Sequence, residues 1–297
     1  MSIKIVNAAY HANIGDCLSS RYLRGIVETL SGQDTELIGY DIDYSDFSGV
    51  SAIILGTGGT LGQFSKTPIL DLDKIPDIPI IIFGVGFNRE YNQPYDYEWE
   101  EYTKKLMPRV MLGGLRNNAD AELAKKFGLK QSYWCPDPLL FLNNPTPKLS
   151  QFTVGLSLGE YTQYLEYDIV GAINKVFPEF GIFQILHEGY TNHFQFGIYN
   201  ECDYVITSRY HGALLSASFN VPVFFIKHNI KHDNLYTDMY PDLELDNYCS
   251  VDNMEMLEIR LSRFRNHYLQ SVDSIIEYKG KAITAYNKFC RMFEELI

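Results

Sequence analysis

The sequence has no CxxC pair. Cys17, Cys135, Cys202, Cys249 and Cys290 are widely spaced and odd in number, which argues against a disulfide framework and against the usual zinc modules. A reducing, cytoplasmic compartment and no bound metal are the expectations. No run approaches the ~18 apolar residues of a membrane-spanning helix. The opening Met1-Ser2-Ile3-Lys4-Ile5-Val6 enters a strand pattern directly, without the basic and apolar stretches of an export signal. The chain is therefore expected to be neither secreted nor membrane-spanning. Long Lys/Arg runs are missing and the formal net charge is -12, so a phosphate-backbone binder is disfavoured and nucleic acid is not an expected partner. Internal repeats and low-complexity tracts are missing too.

What is present fits an ordinary folded protein, with 46% hydrophobic and 21% charged residues. A chain of 297 residues exceeds the size at which one core usually keeps growing, so two domains are expected. Short apolar strands alternate with helical segments, the pattern of an α/β protein with parallel sheets covered on both faces. Strands are read at Ile3 to Val6, Ile53 to Leu55, Ile80 to Phe83, Val110 to Leu112, Thr153 to Leu158, Ile182 to Leu186, Tyr204 to Ile206 and Val223 to Ile226. Helices are read at Leu18 to Leu30, Ala119 to Phe127, Ile169 to Val176, Gly212 to Ala217 and beyond Asn253. The polar, proline-containing Leu142-Asn143-Asn144-Pro145-Thr146-Pro147-Lys148 reads as a linker. That gives domains 1–145 and 146–297, the second with C-terminal helices free to pack back on the first.

Open parallel sheets bind ligands at the carboxyl ends of their strands, here expected in a cleft between the domains. Several chemistry-bearing groups follow strands: Asn13-Ile14-Gly15-Asp16, Gly56-Thr57-Gly58-Gly59-Thr60, Gly84-Val85-Gly86, Arg116 and Arg209-Tyr210-His211. The Gly56 to Thr60 loop suits close approach of backbone N–H groups to an anion, or simply a tight turn; it lacks the spacing of a nucleotide fingerprint. Asn13 and Asp16 fit a helix cap as well as a ligand-facing helix terminus. Arg116 and Arg209, each placed after a buried strand, call for an acid partner or a ligand anion. Beside Arg209, His211 is a candidate acid or base at a phosphate site.

Other residues carry less. His228 and His232 have i+4 spacing, but Asn229-Ile230 reads as loop, so a metal site is not expected there. His187 and His193 read as structural or surface. Lys227 and Lys231 add positive charge near the candidate site or are merely exposed. Tyr91, Tyr95, Tyr97 and Trp99 suit a sugar platform, a flap or plain packing.

Together these groups resemble the polysaccharide pyruvyltransferase family. The match comprises Asn13-Ile14-Gly15-Asp16, Gly58-Gly59, Gly84-Val85-Gly86, Arg116 with its following helix, Asp137-Pro138, and CDYVITSRYHGALLSASFNVPVFFIKHNIK from residue 202. The last segment is the most specific, with its Arg-x-His triplet, Val-Pro strand and lysine. Where the family has an Arg-Asp pair and a nearby serine, this chain reads Arg116-Asn117-Asn118-Ala119-Asp120, and Tyr210 replaces a common leucine.

The resemblance implies two Rossmann-like domains in a glycosyltransferase-B-like arrangement with the active site in the interdomain cleft. It implies phosphoenolpyruvate as donor, no separate cofactor, and a sugar of a capsular or exopolysaccharide intermediate as acceptor. His211 is then the catalytic histidine; Arg209, Arg116, Tyr210, Gly58, Gly59, Asn13, Asp16 and Lys231 are donor-binding residues. A nucleotide-sugar glycosyltransferase or epimerase of the same architecture, or a non-catalytic glycan-binding relative, is the alternative. Finally, residues 260 to 291 hold seven Lys/Arg against Asp273 and Glu277. Either this is a solvated basic helix face, or it rests peripherally on an anionic membrane that carries a lipid-linked acceptor. The sequence sets no oligomeric state.

Overall fold

A computed structural model describes residues 1–7, 14–59, 61, 69–87, 97–142, 152–187, 196–241 and 247–297. The chain divides into two compact units, Met1–Pro138 with Ala282–Ile297, and Leu139–Lys281. Most of the expected linker, from residue 143 on, lies outside the described residues, as do Tyr91, Tyr95 and His193.

In unit 1 the described strands are β1 (Ser2–Val6), β2 (Asp34–Ile38), β3 (Val50–Gly58), β4 (Ile80–Val85), β5 (Val110–Leu115) and β6 (Ser132–Trp134). They form a parallel sheet in the order β2-β1-β3-β4-β5-β6. Its helices are α1 (Ile14–Ser31), α2 (Tyr97–Leu106) and α3 (Asn118–Lys126). The central strands read as unbroken apolar runs because both faces are covered. Alternate residues Ile53, Leu55, Ile80 and Ile82 pack with Leu106 and Phe127. Their neighbours Ile54, Ile81 and Phe83 turn the other way, onto Leu23, Val27, Phe289 and Phe293. The rings of Phe289 and Phe293 meet Phe83 at 4.8 and 5.8 Å, so the end of the chain is part of this core. Trp99 packs edge-on against Phe87 and Phe127; its role is packing, while Tyr97 is exposed.

In unit 2 the described strands are β7 (Thr153–Ser157), β8 (Gly181–Gln184), β9 (Tyr204–Thr207), β10 (Val223–Lys227) and β11 (Tyr248–Ser250). They run parallel in the order β11-β10-β9-β7-β8. Helices α4 (Glu166–Val176), α5 (Ile198–Glu201), α6 (Tyr210–Ser218), α7 (Ile230–Met239), α8 (Leu257–Asn266) and α9 (Tyr268–Leu296) follow in chain order, the residues of α9 from Ala282 on belonging to unit 1. One face of the sheet, with Val154, Leu156, Ile206, Phe224 and Ile226, packs on Ile169, Ile173 and Phe264.

Both sheets reverse their winding direction once. In unit 1 the reversal lies between β1 and β3, and in unit 2 between β7 and β9, which are the switch points where open parallel sheets take ligands.

Two sequence expectations need correction. Helix α6 begins at Tyr210 rather than Gly212, so His211 stands inside its first turn, with Arg209 as the capping residue. Asn229-Ile230 is not loop: the Asn229 side chain accepts from the His232 N–H and caps α7. Among the described residues, no helix is long and apolar enough to cross a membrane.

Candidate active site

The unit 2 switch point gathers the residues that follow β7 and β9. Ser157 and Thr207 are register partners, and Thr207 Oγ1 donates to the Ser157 carbonyl at 2.8 Å while accepting from Arg209 N at 2.9 Å. The Arg209 Nε donates to the Leu158 carbonyl at 2.8 Å, which fixes the plane of the guanidinium. Ser208 Oγ accepts from Gly159 N at 2.8 Å and shares a 2.5 Å bond with Thr162 Oγ1. The two loops are thus tied to each other through hydroxyls.

Helix α6 is buried along its whole length. Its small residues Gly212, Ala213, Ser216 and Ala217 let it lie close to the sheet. A Cβ on Gly212 would stand 2.5 Å from Thr207 Oγ1, 3.2 Å from Tyr199 Oη and 3.3 Å from Ser157 Oγ, so the first turn can approach this hydroxyl cluster only as glycine. His211 is 6% exposed and meets the Tyr210 ring edge-on at 5.6 Å. Its place in the first helical turn puts it at the positive end of the helix dipole, a position that favours a bound anion.

A residue read from sequence as structural or surface also belongs here. His187 follows β8, is 2% exposed, and shares a 2.5 Å hydrogen bond with Tyr199 Oη. Tyr199 in turn donates to Ser157 Oγ at 3.3 Å. Burial, together with the charges of Arg209 and His211, holds His187 well below the usual histidine range, so its ring is neutral. The rule that selected the other candidates, a polar residue just past a strand, applies to His187 as well.

Lys231 lies in the first turn of α7, partly exposed. The His228 and His232 rings are 4.5 Å apart, and Tyr161 lies 6.2 Å from His228. Burial and the nearby Lys231 lower His228 to about 4. No group of three or more metal-ligating side chains occurs among the described residues. Lys227 is buried, paired with Asp233 at 3.0 Å and sandwiched over Tyr236 and Tyr248, a structural arrangement.

In unit 1 the expected residues also come together. Gly58, at φ +76°, has Asp16 Oδ1 2.6 Å from where a Cβ would stand, so the Asp16 carboxylate lies over the glycine loop at the β1/β3 switch point. Thr57 beside it holds φ +36°, a conformation β-branched residues rarely adopt. Gly59 follows in a turn, partly exposed; Asn13 lies outside the described residues. The Gly58 carbonyl accepts from Gly86 N at 2.9 Å, and a Cβ on Gly86 would stand 2.0 Å from Arg116 Nε. Arg116 is 1% exposed, with Nε 4.0 Å from Asp120 Oδ2, which also accepts from Asn117 Nδ2 at 2.9 Å. Asp120, four residues on along α3, is a buried acid partner of Arg116 where an adjacent aspartate is absent. The i+4 spacing was its only sequence signal. Asp137 is fully buried beside Gly84.

The fold is shared with solved structures of low sequence identity. The wall teichoic acid polymerase TagF superposes with a TM-score of 0.58 at 13% identity, over 99% of this chain and 87% of that one. The UDP complex of MnaA from S. aureus gives 0.61 at 7%, covering 92% and 90%. A UDP-bound ugt transferase from Siraitia grosvenorii gives 0.61 at 8%, covering 99% of both chains. At these identities the likeness establishes the fold, two Rossmann-like α/β units of the GT-B-like class. No curated protein matches the chain by sequence. The model of the polysaccharide pyruvyl transferase family matches residues 13–194 and 195–230, and the chain belongs to that family.

Proposed function

We propose that the protein transfers the enolpyruvyl group of phosphoenolpyruvate to a sugar of a capsular or exopolysaccharide intermediate, closing a pyruvate ketal. The observation that carries this reading is the Arg209-Tyr210-His211 junction at the unit 2 switch point. It offers an arginine of fixed plane and a histidine in the first turn of a buried helix. The donor has two anionic groups, a carboxylate and a phosphate, and planar guanidinium forks suit both. Arg209 is assigned to one of them from unit 2, and Arg116, beside Asp120, is a donor-binding residue of unit 1. Tyr210, Gly58, Gly59, Asn13, Asp16 and Lys231 complete the proposed donor set.

The chemistry needs few groups. A proton adds to the C3 methylene of the donor, whose π electrons form the new C–H bond and leave oxocarbenium character at C2. One sugar hydroxyl adds to C2 and gives up its proton; the C2–O bond to phosphate breaks with its electron pair leaving on phosphate, and a second hydroxyl adds to C2, also giving up its proton, to close the ketal. His211 moves protons while Arg209 and Arg116 stabilise departing charge.

The test is release of inorganic phosphate from phosphoenolpyruvate by the full chain, with a panel of hexosides as acceptors and ketal formation followed by mass. Acceptor-dependent release supports the reading; turnover of a nucleotide sugar in its place favours the alternative that the UDP-bound neighbours suggest. A lipid-linked acceptor met at an anionic membrane surface is part of the same proposal. The exposed Leu269, Ile276 and Ile283 of α9 recur every seventh residue and would give such contact an apolar component.

A further inference from the structure

We infer that His187 is a positioning residue for the Arg209 and His211 site, acting through the hydroxyls of Tyr199 and Ser157. The inference rests on the assignment of Arg209 and His211 to the reaction proposed above, and every contact it uses lies within unit 2.

The chain of contacts is continuous. His187 Nε2 is 2.5 Å from Tyr199 Oη, and Tyr199 Oη donates to Ser157 Oγ at 3.3 Å. The Ser157 carbonyl holds Thr207 Oγ1, which holds the backbone N–H of Arg209. With the Tyr199 hydrogen given to Ser157, the 2.5 Å contact takes the Nε2–H of His187 as its donor. Tyr199 is fully buried and His187 nearly so, so neither group owes its orientation to water.

Packing alone does not explain these residue types. An apolar plug behind β7 and β9 would need no hydroxyls and no imidazole. Here Ser157, Thr207, Tyr199 and His187 all sit below 3% exposure. The first turn of α6 also gives up a side chain at Gly212 to lie against three of their oxygens. Buried polar networks of this kind fix one arrangement when every member is satisfied. The arrangement they fix is the strand end from which Arg209 and His211 project. His187 is kept neutral by burial and by the charges of Arg209 and His211, so it supplies a directed N–H rather than a proton for the reaction.

The experiment compares His187→Ala, His187→Gln and Tyr199→Phe in the full chain, with two readouts. Imidazole NMR follows the His211 ring without reference to turnover; its resonances are expected to move in His187→Ala and Tyr199→Phe. Steady-state kinetics are expected to show kcat lowered roughly 10- to 100-fold in both variants, as for a small misplacement of reacting groups. KM for phosphoenolpyruvate should change little by comparison. His187→Gln, which keeps an N–H near the same place, should recover most of the loss. Tyr199→Phe keeps the ring and therefore the fold, so it answers even if His187→Ala is unstable. Unmoved His211 resonances in Tyr199→Phe, or kcat at the wild-type level in both variants, would overturn the inference. Absence of any phosphate release by the wild-type chain would count against pyruvyl transfer instead, and the NMR readout would still decide the positioning role.

Discussion

Arg209 and His211 stand two residues apart yet are held differently, and that difference separates their expected phenotypes. Arg209 is anchored through its Nε and its backbone N–H, as a residue that recognises an anion should be. His211 sits one residue into the helix, buried beside Tyr210. His211→Ala is expected to lower pyruvyl transfer by roughly 10²- to 10⁴-fold while calorimetry still shows phosphoenolpyruvate binding. Arg209→Ala is expected to weaken binding about 10- to 100-fold and turnover with it. Arg209→Lys should restore neither fully, because an ammonium cannot reproduce a planar fork held at one nitrogen. His228 gives a pH prediction. Its folded value is about 4, below the ordinary ~6.5, so the unfolded chain takes up this proton first. Stability therefore falls as pH drops from about 6.5 toward 4, by about 2 kcal/mol at pH 5 from this residue. The buried His187 acts in the same direction. Urea denaturation midpoints across this range should decline less steeply in His228→Gln; an unchanged slope would contradict the assignment.

Elements deliver these residues, and glycines set how closely the elements approach. A Cβ on Gly86 would displace Arg116, and one on Gly212 would press on Thr207, Tyr199 and Ser157. Gly86→Ala is expected to lower the melting temperature as well as phosphoenolpyruvate binding, because the added Cβ would displace the buried Arg116 and Asp120 side chains. Gly212→Ala should lower both stability, by about 1–3 kcal/mol, and turnover, despite alanine's better helix propensity. The central strands were legible in the sequence because β3 and β4 are continuous apolar runs buried on both faces. Strands β2, β6 and β11 were not: β2 alternates polar residues at a sheet edge, and the other two have three residues each, too few to show a period. Helix α7 escaped notice because its buried positions 232, 235, 236 and 239 have helical spacing but begin with a histidine. Within the site, Arg116, Arg209 and His211 could be read because each follows an apolar strand. Tyr199 and Ser157 could not, since their partners lie on other elements and only the fold brings them together, while Asp120 offered only its i+4 spacing from Arg116.

At the scale of the whole molecule, the basic C-terminal stretch is partly spoken for. Arg260 donates to the Tyr248 carbonyl and lies over its ring, Arg265 engages the Val176 carbonyl and Glu179, and Lys279 binds Ser218 and Asn220. Arg263, Lys288 and Arg291 are exposed, Lys288 over the Tyr133 ring and Arg291 bonded to the Asn287 carbonyl of its own helix, and are the residues to neutralise. Sedimentation with anionic vesicles at low salt is expected, with loss at high salt and in the triple glutamine variant; equal behaviour with neutral vesicles would remove the membrane proposal. A thermal-shift panel identifies the donor, because a ligand that binds the folded state raises its stability by about 2.7 kcal/mol at a hundredfold excess over Kd. Phosphoenolpyruvate is expected to raise the melting temperature of the wild-type chain and to fail with Arg209→Ala, while UDP-sugars and CDP-sugars leave it unchanged. A rise with a nucleotide sugar and none with phosphoenolpyruvate would rule out phosphoenolpyruvate as the donor.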